Sequence, residues 1–433
     1  MDARTAHALI RFGLGRRPSE PPPADPMAWL TGQLDAPDPM AAIPGPSAAE
    51  GLEFLRLDRL DSSERGFDPI RRVGALFSAE QSALINNLLK TRMPFRERLV
   101  WFWTNHFTVS LKYGGEIQAV MGAYIREAIR PHVTGRFADM MLAVTRHPAM
   151  LMYLDNMGSA GPNSQLGKRF RRGLNENLAR ESLELHSVTQ AGGYTQADVI
   201  EYAKILTGWT FEIGGGRSGA LFREDFHEPG PKTVLGRAYP TGQQGGQALI
   251  AWLATHPLTF RNLATKLARH FVSDTPPEAA IRPIEAALIA TGGDLKAATL
   301  ALLATPDAWK PLTKIRAPMD YVFAVLRGLD MTEAPMTELH TVLPTLGQPM
   351  LGAPLPNGFD DTAASWTSGE ALMRRVDWVY RLAPHFGRMQ PETLARDLLG
   401  DLLGTATLGQ VRAAGSQRDG LTLLLTSPEF QRR

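Results

Sequence analysis

The stretch Asn175–Phe211, NENLARESLELHSVTQAGGYTQADVIEYAKILTGWTF, constrains this chain more than any other. Its spacing predicts two helices joined by a tight turn. At 100° per residue, Asn177, Glu181, Glu184 and Val188 fall within a sector about 60° wide. Leu174, Leu178 and Leu185 lie on the adjoining flank, where a core-facing stripe is expected. Two carboxylates therefore sit beside the side of the helix that should be buried. A carboxylate moved out of water costs several kcal/mol unless it finds a cation, a donor or a metal. Glu181 is thus expected to be substantially buried, with a cationic or metal partner. The turn is equally readable. Gly192-Gly193 supply a left-handed cap, Thr195 and Asp198 form a capping box, and Gly208-Trp209 close the second helix.

A second helix carries a comparable oddity. In Phe95–Ser110, FRERLVWFWTNHFTVS, Glu97, Trp101 and Asn105 recur at helical spacing, and Arg98, Phe102 and His106 form the neighbouring stripe. His106 is either a core histidine donating to a backbone carbonyl or, with Asn105, part of a pocket shared with Asn177, Glu181 and Glu184. Polar groups on core-facing stripes are costly singly and compensate one another when clustered, so the five are expected to converge on one cavity. The polar loop Asp155–Gly173 and the constrained loop Phe226–Gly236 are expected to border it. The first ends in Lys168, Arg169, Arg171 and Arg172, which either bind an anionic substrate group, pair with Glu176, or are simply solvated. In the second, His227 is a candidate second imidazole or an exposed loop residue. A further Gly/Pro-rich loop, Pro344–Trp366, has the composition of a lid. His270, which follows Lys266 and Arg269, reads mainly as packing.

These residues carry a family resemblance. NENLARESLELH followed by GGYTQADVIEYAKILTGW is similar to the signature of a large bacterial family catalogued as domain of unknown function 1800. FRERLVWFWTNHFTVS, FHEPGPKTVLG at Phe226–Gly236, LARHFVSDTPP at Leu267–Pro277 and the terminal LLTSPEFQRR agree with it. The resemblance spans nearly the whole chain. It implies membership, and it brings no reaction and no catalytic residues with it.

The 433 residues are 44% hydrophobic and 21% charged, as in ordinary globular proteins. A net charge of +2 with no long basic block argues against a dedicated nucleic-acid surface. Nine of the 46 basic residues are Lys and the remainder Arg, a bias that reads as genomic. The absence of cysteine excludes disulfides, thiolate metal sites and Cys nucleophiles. No apolar run approaches the ~20 residues of a membrane-spanning helix, so membrane insertion is not expected. The first residues, MDARTAHALIRFGLGRRPSE, lack the apolar segment of a signal peptide. A cytoplasmic location is therefore expected, although many proteins of the resembled family are exported.

Repeated helical periodicity, with almost no alternating strand pattern, predicts an all-α array with long Gly/Pro-rich loops and at most a small β-hairpin near Leu221–Leu235. Residues 1–433 read as one helical unit, with a possible division into a site-bearing half, 1–211, and a scaffold half, 212–433. Phe137–Met152 reads as one helix within it. No His-Glu-x-x-His, Walker or Gly-x-Ser-x-Gly motif is present, and Glu181-x-x-Glu184 occurs once. Two functions stay open. One is an enzyme in which Glu181, Glu184 and His106 act directly on a small or anionic substrate or hold a divalent metal such as Mn, Fe or Zn. The other is a non-catalytic binding or scaffold protein whose buried acids are structural ion pairs.

Overall fold

The helix Pro94–His106 is buried on nearly every side, and the rest of the chain is layered around it. Pro94 starts it with φ already set and no N–H to waste. Phe95, Leu99, Phe102 and Trp103 supply apolar surface, yet Arg96, Glu97 and Arg98 are also buried on it. Glu97 receives Arg130 (Nη1–Oε2 2.9 Å), and the same guanidinium reaches Asp38 (Nε–Oδ2 2.9 Å). Arg98 donates to the Gly13 carbonyl at 2.8 Å and to Asp320 at 2.9 Å. A helix this deep can carry charge because every charge on it meets an oxygen or a guanidinium from a distant part of the chain.

The computed structural model describes residues 1–65, 71–171, 173–214, 218–333 and 335–433. Among them are 21 α-helices and two small antiparallel hairpins, so the fold is all-α. One hydrophobic cluster runs from Ala8 to Phe430. No helix among the described residues is long and apolar enough to cross a membrane.

Where strands do occur, there are two hairpins. Trp209–Glu212 pairs with Gly219–Phe222, and Lys232–Val234 pairs with Arg237–Tyr239. The preceding helix stops at Leu206, and Trp209 already belongs to a strand, because Gly208 at φ +91° turns the chain there. The Thr195–Asp198 capping box is present. Asp198 also accepts the Leu235 N–H at 2.6 Å, which ties the second hairpin to that helix.

Phe137–Met152, continuous by periodicity, is two helices, Phe137–Arg146 and Pro148–Tyr153. Pro148 forces His147 into extended backbone (ψ 137°), and the His147 ring then caps the new helix through the Ala149 N–H. The loop Asp155–Gly173 is likewise more ordered than its composition suggests. It holds the helix Gln165–Phe170, capped by Ser164.

The buried Glu97–Arg130 pair supplies a direct test. Glu97→Ala leaves the guanidinium with Asp38 alone and should cost about 3–5 kcal/mol, read as a lowered urea midpoint. A loss below about 1 kcal/mol would mean that the pair contributes no more than a surface ion pair.

Candidate functional site

A cavity of about 730 Å³ opens between Pro94–His106, the helices Pro257–Phe271 and Pro318–Gly328, and the loop that follows Thr345. Its size suits a small ligand. Trp101, Phe102, Met319, Phe323 and Trp366 give it apolar walls, and Asn105, His106, Lys266, Arg269, His270, Asp320 and Asp361 give it polar ones.

Local chemistry explains how the loop is held. The Asn105 amide pairs with the Phe359 backbone in both directions, donating to its carbonyl at 2.9 Å and accepting its N–H at 2.8 Å. Gly358 stands at φ +80°, and a Cβ there would meet the Asn105 carbonyl oxygen at 2.5 Å, so only glycine lets the loop approach this closely. Ser110 Oγ donates to the Ala353 carbonyl at 2.6 Å, and the Leu111 N–H donates to the Leu351 carbonyl at 2.9 Å.

One wall is an internally compensated charge network. His270 Nδ1 lies 2.6 Å from Asp361 Oδ2, and Arg433 Nη2 lies 3.3 Å from Asp361 Oδ1. Arg433 Nε reaches Asp320 Oδ2 at 3.1 Å, and Arg98 contacts the same oxygen. Burial works against charge on Asp361, but His270, Arg433 and Lys314 overcome it and hold the carboxyl down to about 2. Burial pushes His270 down to about 4 against the pull of Asp361. The pair is therefore a neutral imidazole donating through Nδ1–H to a carboxylate. Nε2 is left buried and without a hydrogen-bond partner among the described residues.

The opposite arrangement holds on the same helix. Lys266 Nζ donates to His106 Nδ1 at 3.1 Å and to the Leu185 carbonyl at 3.2 Å, and meets no carboxylate among the described residues. Arg269, one turn on, makes no hydrogen bond or ion pair among the described residues. Burial and then Arg269 push Lys266 down to about 8. Burial, then Lys266 and His186, hold His106 well below the ordinary imidazole range, so it stays neutral.

Of the residues singled out by sequence, Asn105 and His106 line this cavity, while Asn177, Glu181, Glu184, Arg171 and His227 do not. The expected convergence is corrected by the helix itself. Only Asn177–Glu181 is α-helical, and Ser182–His186 is a π turn, whose i→i+5 bonds advance each residue by less than 100°. Its buried face is Leu178, Ala179, Ser182, Leu183 and His186. Ser182 lets the next helix come close, and its Oγ meets the Tyr202 hydroxyl at 2.8 Å. The helix thus turns His186 and the Leu185 carbonyl toward His106, whose ring centroid lies 6.1 Å from that of His186.

Glu181 is half-buried and makes no salt bridge or hydrogen bond among the described residues. Partial burial and the neighbouring Glu184 raise its carboxyl above the usual range, with Arg180 opposing. Glu184 meets the Tyr194 hydroxyl at 3.3 Å, and Asn177 is exposed. No group of three or more His, Asp or Glu side chains able to hold a metal ion occurs among the described residues. Glu181, Glu184 and His106 are not gathered into such a group, and His106 Nδ1 lies 3.1 Å from Lys266 Nζ.

The two bordering loops contact each other rather than the cavity. The Gly161 N–H donates to the Phe226 carbonyl at 2.9 Å, and Asn163 Nδ2 donates to Glu228 Oε1 at 2.7 Å. His227 is buried, with Nδ1 on the Thr207 carbonyl at 2.7 Å and Nε2 accepting the Gly242 N–H at 2.8 Å. Arg171 is exposed at φ 51°, and Arg172 lies outside the described residues, as do residues 215 and 216 of the Gly214–Gly216 stretch.

Lys266, Arg269 and His270 were legible as a pattern. They recur at i, i+3 and i+4 beside the strongly apolar stripe Phe260, Leu263, Leu267 and Phe271, which places all three on one flank of one helix.

Fold and cavity together define an all-helical protein with an internal site of small-molecule size. The chain belongs to the DUF1800 family, described as a protein of unknown function, whose model matches residues 7–432. No curated protein and no solved structure matches it.

The buried imidazoles give a pH prediction. Burial holds His186 down to about 3, with Lys266 adding to the effect, and burial lowers His270 to about 4. Unfolded, each would take a proton near the ordinary value of about 6.5. The unfolded state therefore binds more protons in that window. Stability is full above about pH 6.5 and falls on acidification, by up to about 1.4 kcal/mol per pH unit for each such histidine. Melting temperature should drop between pH 7 and pH 4.5, and His186→Gln should flatten the slope. A melting temperature constant across that range would refute neutral burial.

Proposed function

We propose that the cavity takes a small anionic molecule and that the protein is an enzyme acting on it. Lys266 and Arg269 receive the anion, His106 and Asn105 shape its surroundings, and the His270–Asp361 dyad exchanges a proton with it. The observation that carries this reading is an imbalance within one wall. Arg98 on the cavity wall, and Arg433 and Lys314 behind its Asp361, each meet a carboxylate, whereas Lys266 and Arg269 line the cavity with none among the described residues. Two cations held next to each other in a partly desolvated site are costly until an anion arrives. A neutral imidazole oriented by a carboxylate is the usual arrangement of a general base.

We also propose that residues 1–433 work as one unit rather than as two halves. Pro94–His106 belongs to 1–211, and the other two helices and the loop belong to 212–433, so neither half builds the cavity alone. The divalent metal has no place in this reading, because its three candidate ligands are not gathered. Glu181 and Glu184 are assigned to a half-buried surface pair.

A second reading, a scaffold without chemistry, is supported by the mutual compensation of Arg98, Asp320, Arg433 and Asp361. Thermal-shift titration with glycolate, succinate and inorganic phosphate separates the two. Under the binding reading one of these anions raises the melting temperature in proportion to its occupancy. Lys266→Met and Arg269→Gln should each weaken that binding about 10- to 100-fold, the value of one charge-assisted hydrogen bond, without lowering the melting temperature of the free protein. The scaffold reading takes over if no anion binds and both variants only destabilise.

A further inference from the structure

We propose that Lys266 is an amine nucleophile, forming an imine with the carbonyl carbon of a small oxo acid whose carboxylate rests on Arg269. This rests on the reading that the cavity takes an anion, and it names the substrate class. Three features of the site lead to it.

The first is the hydrogen bonding of Nζ. It has two acceptors, His106 Nδ1 at 3.1 Å and the Leu185 carbonyl at 3.2 Å. A neutral amine has two N–H bonds to place on them and one lone pair left over. An ammonium would carry a third N–H with no protein acceptor and a charge with no carboxylate. His106 is a positioning residue in this scheme. It remains neutral, Nδ1 is the ring nitrogen that faces Nζ, and Nε2 is buried without a hydrogen-bond partner among the described residues.

The second feature is the placement of Arg269. At i+3 on the helix and without an ion pair among the described residues, its guanidinium is a planar receptor for a carboxylate beside the amine. Its charge also suppresses protonation of Lys266, the device by which a cationic neighbour activates a Schiff-base lysine. Burial and Arg269 together lower Lys266 to about 8, so about a tenth is neutral at pH 7, against less than about a thousandth for an ordinary lysine.

The third feature is a contrast inside the chain. Burial also lowers Lys232 to about 8. Its Nζ is taken by the Glu228 carbonyl and by His227 Nε2, and it does not line the cavity. Equal basicity at two lysines with only one of them facing a cavity separates site chemistry from mere burial.

The step balances without redox. The amine lone pair forms the C–N bond, the carbonyl oxygen leaves as water with both amine protons, and a neutral imine remains. Protonation of that imine makes the adjacent carbon acidic, within the wall that also carries His270.

The experiment uses glyoxylate, the smallest oxo acid, with sodium cyanoborohydride at pH 7, followed by peptide mapping. The reductant delivers hydride to the imine carbon and leaves carboxymethyl-lysine. Lys266 should be labelled at least about 10-fold faster than Lys232 or any other of the nine lysines. Glycolate, which has the carboxylate but no carbonyl, should protect it, and Arg269→Gln should slow labelling about 10-fold. Lys266→Arg keeps the positive charge and should keep glycolate binding while losing the label, which guards against a variant that fails to fold. If glycolate binds but labelling is even across the lysines, the imine proposal falls and the anion site stands. If neither glycolate nor glyoxylate binds, the imine proposal falls, and the anion reading falls with it when succinate and inorganic phosphate also fail to bind.

Discussion

A guanidinium that has left water must find oxygen, and this fold depends on arginines that find it at the ends of helices. Arg11 donates to the carbonyls of Phe271 and Val272, where the helix Pro257–Phe271 finishes, and also to the Arg433 carbonyl. Arg327 donates to Leu88 and Leu89, in the last turn of Arg71–Lys90. Arg375 instead donates to the Arg316 carbonyl, in the extended segment before Pro318–Gly328. An α-helix leaves its final carbonyls without partners, and an array of many helices buries several such ends at once. Rigid, multidentate and always charged, arginine satisfies two or three of them and favours the negative end of the dipole. The arginine-rich composition therefore has a structural use, although genomic bias was its first reading.

The same economy of charge delimits the candidate site. Where Arg98, Arg433 and Lys314 meet Asp320, Asp361 and Asp274, the buried charges compensate one another and fix the segment ending at Arg433 against the core. The backbone reinforces this, with the Arg433 N–H on the Lys314 carbonyl at 2.7 Å and a bridge between Ile315 and Arg432. Compensation stops at Lys266 and Arg269. Uncompensated cations tend to be expelled from a core unless a ligand stabilises them, so the boundary between paired and unpaired charge is informative about function.

The loop over the cavity is held closest to the Pro94–His106 helix by the two-way Asn105–Phe359 pairing and the glycine beside it. The sequence places Asn105 in a pocket with His106 and the two glutamates. In the structure both ends of its amide are committed to backbone, so it acts on the cavity by setting where Asp360 and Asp361 lie. His227 shows the same shift from ligand candidate to structural clamp, for the same reason. A polar side chain buried among loop backbone is used first to satisfy that backbone.

The sequence by itself determined the elements with local causes. Helical periodicity, the Thr195–Asp198 capping box and the lid-like composition after Pro344 all follow from interactions among residues a few positions apart. It also singled out Asn105 and His106, which line the cavity. It misplaced the carboxylates, because a wheel drawn at 100° per residue cannot anticipate a π turn, and because Ala179 and Ser182 hold the core face where large apolar residues were sought. The Lys266, Arg269 and His270 stripe was visible but unweighted, since spacing alone does not say which flank of an amphipathic helix borders a cavity and which borders water. Only the tertiary structure decided that. Whether a buried charge is paired depends on groups such as Asp320, Asp361 and Arg433, which lie far from it in sequence and reach it only when the chain has folded.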